Sequence, residues 1–148
     1  MTTETITVDL QQQNGYRFLA SYADGVPSLL CDEPPPLGEG AGPSPVQLLA
    51  TAVGNCLSDS LLFALRKFKQ QPEPLSCRVT AQVGRNAEGR LRVTGMLAEL
   101  TLGVEATRLE HLDRVLSQFE AFCTVTQSVA AAFPVEVRVR DAAGSQLK

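Results

Sequence analysis

Apolar and polar residues alternate with a period of two in several stretches of the chain, which is the pattern of half-buried β-strands. An N-terminal hairpin is predicted because Gln13-Asn14-Gly15 is a turn signal between two such stretches. Gly95 is a candidate β-bulge in a later strand. The predicted strands cover Thr5–Asp9, Tyr16–Tyr22, Ser28–Cys31, Leu75–Val83, Leu91–Leu102 and Val135–Arg140.

The clearest helix signal begins at Ser44, where Pro45 follows at the first helical position and Gln47 completes a capping box. Apolar residues then occupy almost every side of the helix until Leu65, and Pro72 stops it. A helix of this kind is enclosed by other structure. Because one small sheet covers only part of such a helix, the pattern also favours a second subunit.

Two shorter helices are predicted in the C-terminal third. Thr107 and Glu110 form a second capping box, and Thr124–Ala132 reads as a short helix that starts just after Cys123. Together with the strands this order predicts an α+β fold in a single domain over residues 1–148.

Composition and charge exclude several classes of function. Lys and Arg number 13 against 16 Asp and Glu, so the net charge of −3 leaves no basic surface for nucleic acid. The first residues lack a signal peptide, and Gln47, Asn55 and Asp59 interrupt the long helix, so we expect a cytoplasmic protein without a membrane span. With one histidine and no Cys-x-x-Cys, no metal or other cofactor is expected.

Four cysteines are the candidates for chemistry. The position of Cys123 at the start of a helix favours it as a reactive cysteine, because the N-terminus of a helix stabilises a thiolate. Cys56 alone would be read as a structural residue of an apolar helix, and Cys77 as a core residue of a strand. Cys31 is expected to be partly exposed. His111 is interpreted as a surface residue, which disfavours a Cys-His catalytic pair.

Two motifs each lead up to or begin with a cysteine. The first runs from Asp32-Glu33-Pro34-Pro35-Pro36-Leu37-Gly38 through Gly42-Pro43-Ser44-Pro45 into the helix that carries Cys56. The second is Cys123-Thr124-Val125-Thr126, at the start of a C-terminal helix. The first motif resembles the OsmC/Ohr family of thiol-dependent peroxidases, and the second is similar to that family's second cysteine motif. The resemblance follows the order of elements over nearly the whole chain.

The resemblance implies a fold and an activity. The fold would be an antiparallel sheet wrapped around a long central buried helix, in an intertwined homodimer. Cys56 would attack an organic hydroperoxide and become a sulfenic acid, which Cys123 would capture as a disulfide. A dithiol reductant, lipoyl-like in the better-known members, would reopen that disulfide.

One position departs from the family pattern. Where the family peroxidases have a glutamate ten residues before the first cysteine, this chain has Val46. That glutamate pairs with an activating arginine, for which Arg17 is the nearest match by location. Two replacements for the missing carboxylate, Glu39 and Asp59, stay open. Without one, Arg17 is expected to lack an acidic tether and to adopt more than one rotamer.

The departure also defines a rival hypothesis. A dimer of the same fold could have little or no peroxidase activity and bind an apolar small molecule in its interface cleft, with inert cysteines. Val46 favours this rival, whereas the presence of both motif cysteines favours the peroxidase.

Overall fold

The structure is a computed structural model and describes Thr2–Lys148. Its backbone is α+β, as predicted, and it divides into two compact units, one ending at Leu48 and the other covering Leu49–Lys148. Whether they form a single domain stays a prediction.

The first unit contains a three-stranded antiparallel sheet. Its strands are β1 (Asp9–Asn14), β2 (Arg17–Ser21) and β3 (Leu29–Cys31), in the order β1-β2-β3. The prediction of a first strand at Thr5–Asp9 was wrong, because β1 is exposed on both sides and its polar residues carry no apolar alternation. The turn is shorter than predicted, since Asn14 pairs directly with Arg17.

The long helix α1 spans Pro45–Lys67, as its start signal predicts. Both reciprocal hydrogen bonds of the capping box are present. The Ser44 N–H donates to Gln47 Oε1 over 2.9 Å, and the Gln47 N–H donates to Ser44 Oγ over 3.3 Å. Arg66 and Lys67 lie in the last turn, where positive charge suits the helix dipole.

The second unit contains a sheet of β4 (Ser76–Arg85), β5 (Leu91–Thr101) and β6 (Val135–Arg140), in that order. β4 and β5 pair antiparallel, but β6 lies parallel to β5. The expected single antiparallel sheet was therefore wrong. The parallel pairing follows from the long connection between β5 and β6, whose helices form a crossover.

The predicted bulge near Gly95 is present. Gln82 pairs with Gly95 and Val83 pairs with Val93, so Thr94 has no partner in the β4–β5 register. The alternation of buried and exposed residues along β4 shifts at this point, and Val83 is exposed as a result.

Between β5 and β6 lie α2 (Leu112–Gln118) and α3 (Thr124–Ala130), with 3₁₀ helices at Ala106–Arg108 and Phe119–Phe122. The capping box predicted at Thr107 and Glu110 was wrong, because Thr107 belongs to the first 3₁₀ helix and α2 begins five residues later. Glu110 precedes α2, and its N–H donates to the Gln70 side chain instead. The start of α3 after Cys123 is confirmed.

The core of the second unit lies between α1 and the sheet. Val53, Leu57, Leu61 and Leu65 are fully buried on one face of α1. Gly54 allows this close packing, since a Cβ there would lie 2.7 Å from a methyl group of Val79. Complete enclosure of α1 is not confirmed. Phe63, on another face, is 72% exposed in the single chain.

By length and composition alone, α1 could cross a membrane. A core helix of a soluble protein passes the same test. The fully buried leucines against the sheet favour the second interpretation.

A carboxylate organises the loop after β3. Asp32 is buried and accepts N–H groups from Glu33, Glu39 and Ala41 over 2.8 to 3.2 Å. Gly38 is required for this winding, because a Cβ there would collide with the Asp32 carboxylate and the Glu33 carbonyl. Cys31, directly before it, is buried, so the prediction of partial exposure was wrong.

The Asp32 carboxylate should make the free energy of unfolding depend on pH in the acidic range. The Ala41 N–H, with those of Glu33 and Glu39, lowers the pKa of Asp32. A lowered folded-state pKa means that the stabilisation is present above the unfolded value of about 3.9 and is lost as pH falls through the folded value. In denaturant titrations, Asp32→Asn should lower the unfolding midpoint at pH 7 and flatten its fall below about pH 4.

The matched control is Asp59→Asn, which removes an exposed carboxylate from α1. Its midpoint should stay near that of the wild type, as for most exposed substitutions. Equal midpoints for Asp32→Asn and the wild type at pH 7 would contradict the organising role of Asp32.

Candidate active site

The structure brings two of the predicted site residues together. Cys56 lies on α1 and is half-buried, whereas Cys123 caps the start of α3 and is fully buried. Cys123 is close enough to Cys56 to influence the ionisation of its thiol, and both are free thiols. Solvent therefore reaches Cys56 more easily than Cys123.

The protonation of Cys56 follows from its surroundings. Burial raises the pKa of the Cys56 thiol, and the hydrogen bond with Cys123 raises it further. Backbone N–H groups of Val125 and Thr126, at the start of α3, act in the opposite direction. The net shift is upward, so these groups alone leave Cys56 as a thiol at neutral pH.

Cys123 is held on two sides. Its N–H donates to the Glu120 carbonyl over 3.0 Å, and its Sγ lies 3.0 Å from Thr126 Oγ1. Thr126 is itself buried. Unlike an ordinary N-cap residue, Cys123 makes no side-chain hydrogen bond to the N–H groups of its helix, two of which bind Cys56 instead.

Arg17 has two acidic partners. Its guanidinium forms an ion pair with the exposed Glu39 and lies 3.5 Å from the buried Asp32 carboxylate. Of the two candidates for the missing carboxylate, Glu39 contacts Arg17, whereas Asp59 is an exposed residue of α1. An untethered Arg17 was expected only without a replacement carboxylate, and Glu39 supplies an acidic partner.

Sequence reasoning missed Asp32 as a partner of Arg17. A signal was available, since Asp32 precedes three prolines and a glycine-rich segment that winds back on itself. Such loops bury N–H groups that an aspartate can accept. Nothing in the spacing of Arg17 and Asp32 predicts their contact, which depends on the pairing of β2 with β3.

The remaining residues singled out in the sequence do not join the cysteine pair. Cys77 packs against the core of the second unit, and burial raises the pKa of its thiol. His111 is exposed and stacks on Phe68 with ring centroids 4.8 Å apart. The Arg114 guanidinium lies over the same Phe68 ring.

A groove of about 270 Å³ lies beside the C-terminal half of α1. Four phenylalanines line it, together with other residues that include Lys67 and Arg114. Phe63 and Phe122, which belong to its lining, are 72% and 78% exposed. The groove is apolar surface that a single chain leaves uncovered.

Comparison with solved structures shows the same fold at low sequence identity. The chain is similar to an OsmC-like protein of unknown function from Vibrio cholerae, with a TM-score of 0.78, 16% identity and coverage of 93% of this chain and 99% of that one. It is also similar to an organic hydroperoxide resistance protein from Elizabethkingia anophelis, with a TM-score of 0.70, 15% identity and coverage of 95% and 96%.

A third similar structure is an organic hydroperoxide resistance protein from Legionella pneumophila, with a TM-score of 0.66, 17% identity and coverage of 94% and 98%. Comparison with curated proteins gives no match. The model of the family described as OsmC-like protein matches residues 38–138, which include both motif cysteines. The chain therefore belongs to the OsmC-like protein family.

Proposed function

We propose that this protein is a thiol-dependent peroxidase that reduces organic hydroperoxides through Cys56 and Cys123. The observation that carries the proposal is the pair of neighbouring free thiols in which Cys56 alone is partly exposed. Two similar structures are described as organic hydroperoxide resistance proteins, which supports the same class of activity.

The proposed reaction has two steps. The Cys56 thiolate attacks the hydroperoxide, and the O–O bond breaks to leave a sulfenic acid on Cys56 and an alkoxide. The alkoxide takes a proton from solvent, replacing the one that Cys56 released on ionisation, and leaves as an alcohol. Cys123 sulfur then attacks the Cys56 sulfur, and the S–O bond breaks. The Cys123 proton leaves with the hydroxyl as water, and a disulfide remains. A dithiol, lipoyl-like by family resemblance, would reduce this disulfide and restore both thiols.

The first step needs a positive charge, because the pKa of Cys56 is raised in its present surroundings. We propose Arg17 for this role. The assignment rests on the place of Arg17 in the family pattern, and its two carboxylate partners support it by giving the side chain the acidic tether that Val46 cannot supply. The reaction is proposed to take place in the cytoplasm, where reduced thiols persist.

The aromatic groove supports the rival function, which is binding of an apolar small molecule with inert cysteines. Ligand pockets usually have volumes of about 300 to 1,000 Å³, and this groove is slightly smaller. Because the paired thiols have no role in that alternative, we favour the peroxidase.

A homodimer is the expected state of the protein. Phe63 and Phe122 expose most of their apolar surface, and the apolar circumference of α1 is covered on one face only. Contiguous apolar surface of this kind is typical of an interface. We propose that a second copy covers it, in line with the intertwined dimer that the family resemblance implies.

Replacement of each cysteine should separate the two chemical steps. With one equivalent of cumene hydroperoxide, the wild type should form a Cys56–Cys123 disulfide that mass spectrometry detects after alkylation. Cys56→Ser should abolish peroxide consumption. Cys123→Ser should consume one equivalent and stop at a sulfenic acid that dimedone traps, because the second thiol is missing.

Cys77→Ser is the matched control, since Cys77 is a half-buried thiol of the same unit outside the pair. It should form the disulfide at the wild-type rate. Full peroxide consumption by Cys56→Ser would exclude the mechanism and favour the rival function.

Removal of the Arg17 charge should slow the first step. Arg17→Met should reduce the rate of Cys56 oxidation at pH 7 by at least about tenfold, because loss of a neighbouring positive charge raises a pKa by about one to three units. Stopped-flow oxidation measures this rate. Arg66→Met, which removes an exposed arginine paired with Glu73, is the control. Wild-type kinetics in Arg17→Met would show that another group activates Cys56.

The dimer should depend on the exposed aromatic surface. Sedimentation equilibrium should give twice the monomer mass of 15.9 kDa at micromolar concentration. Phe63→Glu should weaken association by at least about tenfold, or about 1.4 kcal/mol, because it places a charge in the covered surface. Val83→Glu, a charge at another exposed apolar position, should leave association unchanged. A wild-type monomer would contradict the proposal.

A further inference from the structure

Thr126 acts on both cysteines of the proposed site. Its hydroxyl oxygen lies 3.0 Å from Cys123 Sγ, with the thiol as donor. Its backbone N–H acts to lower the pKa of Cys56. The side chain of Thr126 therefore acts on one cysteine and its main chain on the other.

The contact of Thr126 with Cys123 lies in a closed environment. Cys123 is fully buried and Thr126 is 4% exposed, so water has little access to either group. In such surroundings a hydroxyl acceptor fixes the direction of the S–H bond, because no solvent molecule can replace it. The Cys123 proton points toward Thr126.

The direction of that proton matters for the bond that must form. Because the S–H bond of Cys123 is directed at Thr126, the lone pairs of the Cys123 sulfur remain available for the neighbouring Cys56. In the resolving step those lone pairs attack the Cys56 sulfur. Correct alignment of two reacting atoms accelerates such a step strongly.

We infer that Thr126 is a positioning residue for disulfide closure, holding the Cys123 thiol in the orientation from which its sulfur attacks oxidised Cys56. This inference rests on the proposed function and assigns a role to the last residue of the second cysteine motif. The hydroxyl acts in the second step only. The backbone N–H on Cys56 is present whatever the side chain.

The test uses Thr126→Val, which keeps the shape and the backbone N–H but removes the acceptor. After one equivalent of cumene hydroperoxide, rapid quenching with dimedone and alkylating reagent measures sulfenic acid and disulfide separately. Sulfenic acid should form at a rate within about twofold of the wild type, and disulfide closure should slow by at least about tenfold. Sulfenic acid should accumulate as a result.

Two further variants distinguish positioning from a general effect on packing. Thr126→Ser restores the hydroxyl and should recover most of the closure rate. Thr124→Val removes an exposed hydroxyl from the same turn of α3 and should close at the wild-type rate. Wild-type closure in Thr126→Val, equal slowing of both steps, or failure of Thr126→Ser to recover closure would each overturn the inference.

A second oxidant separates this inference from the proposed function. Diamide adds to the Cys56 sulfur, and attack by Cys123 then breaks the S–N bond and releases a hydrazine, which gives the same disulfide without peroxide. Thr126→Val should slow this closure as well. If peroxide leaves wild-type Cys56 unoxidised, the proposed function fails, and the diamide rates alone support or overturn the role of Thr126.

Discussion

The proximity of Cys56 and Cys123 depends on α1 and the start of α3 lying beside each other in the second unit. Gly54 lets α1 pack closely on its sheet by leaving space for Val79. The crossover from β5 to β6 then returns the chain so that α3 begins beside α1. Any separation of α1 from the sheet would pull the two sulfur atoms apart.

Burial has opposite consequences for the proposed roles of the two thiols. Burial that keeps Cys123 from solvent also raises the pKa of Cys56, so the shielding that protects the resolving thiol disfavours the reactive thiolate. Two N–H groups from α3 offset part of this effect. A cation from elsewhere in the chain would be needed for the rest, which is why the partners of Arg17 bear on the proposed chemistry.

Much of this arrangement could be predicted from local sequence. The capping box at Ser44 and Gln47 fixes the start of α1 to the residue, and the position of Cys123 directly before α3 follows from the short helical segment after it. Such signals involve residues that are close in sequence, so they can be recognised without knowledge of the fold. The β4–β5 hairpin and its bulge were predictable for the same reason.

Features that depend on distant contacts could not be read in this way. The capping box at Thr107 and Glu110 has the right residues, yet Asp141 accepts the Ala106 N–H and Gln70 accepts that of Glu110. The strand β1 was misplaced because both of its faces are exposed, which removes the periodic signal. Burial of Cys31 depends on the return of the chain at Pro43, whose carbonyl accepts the Asp32 N–H.

The two carboxylates near Arg17 have unequal capacities to hold it. Asp32 already accepts three backbone N–H groups. Its carboxylate lies 3.5 Å from the Arg17 guanidinium, so its ion pair with Arg17 is weak. Glu39 makes the close contact, but its side chain is 78% exposed, and solvent screening weakens an ion pair of this kind. The buried Asp32 carboxylate therefore fixes the loop, and the exposed Glu39 carboxylate forms the close ion pair with Arg17. Arg17 thus takes its acidic partners from a loop, whereas the apolar Val46 side chain offers it none.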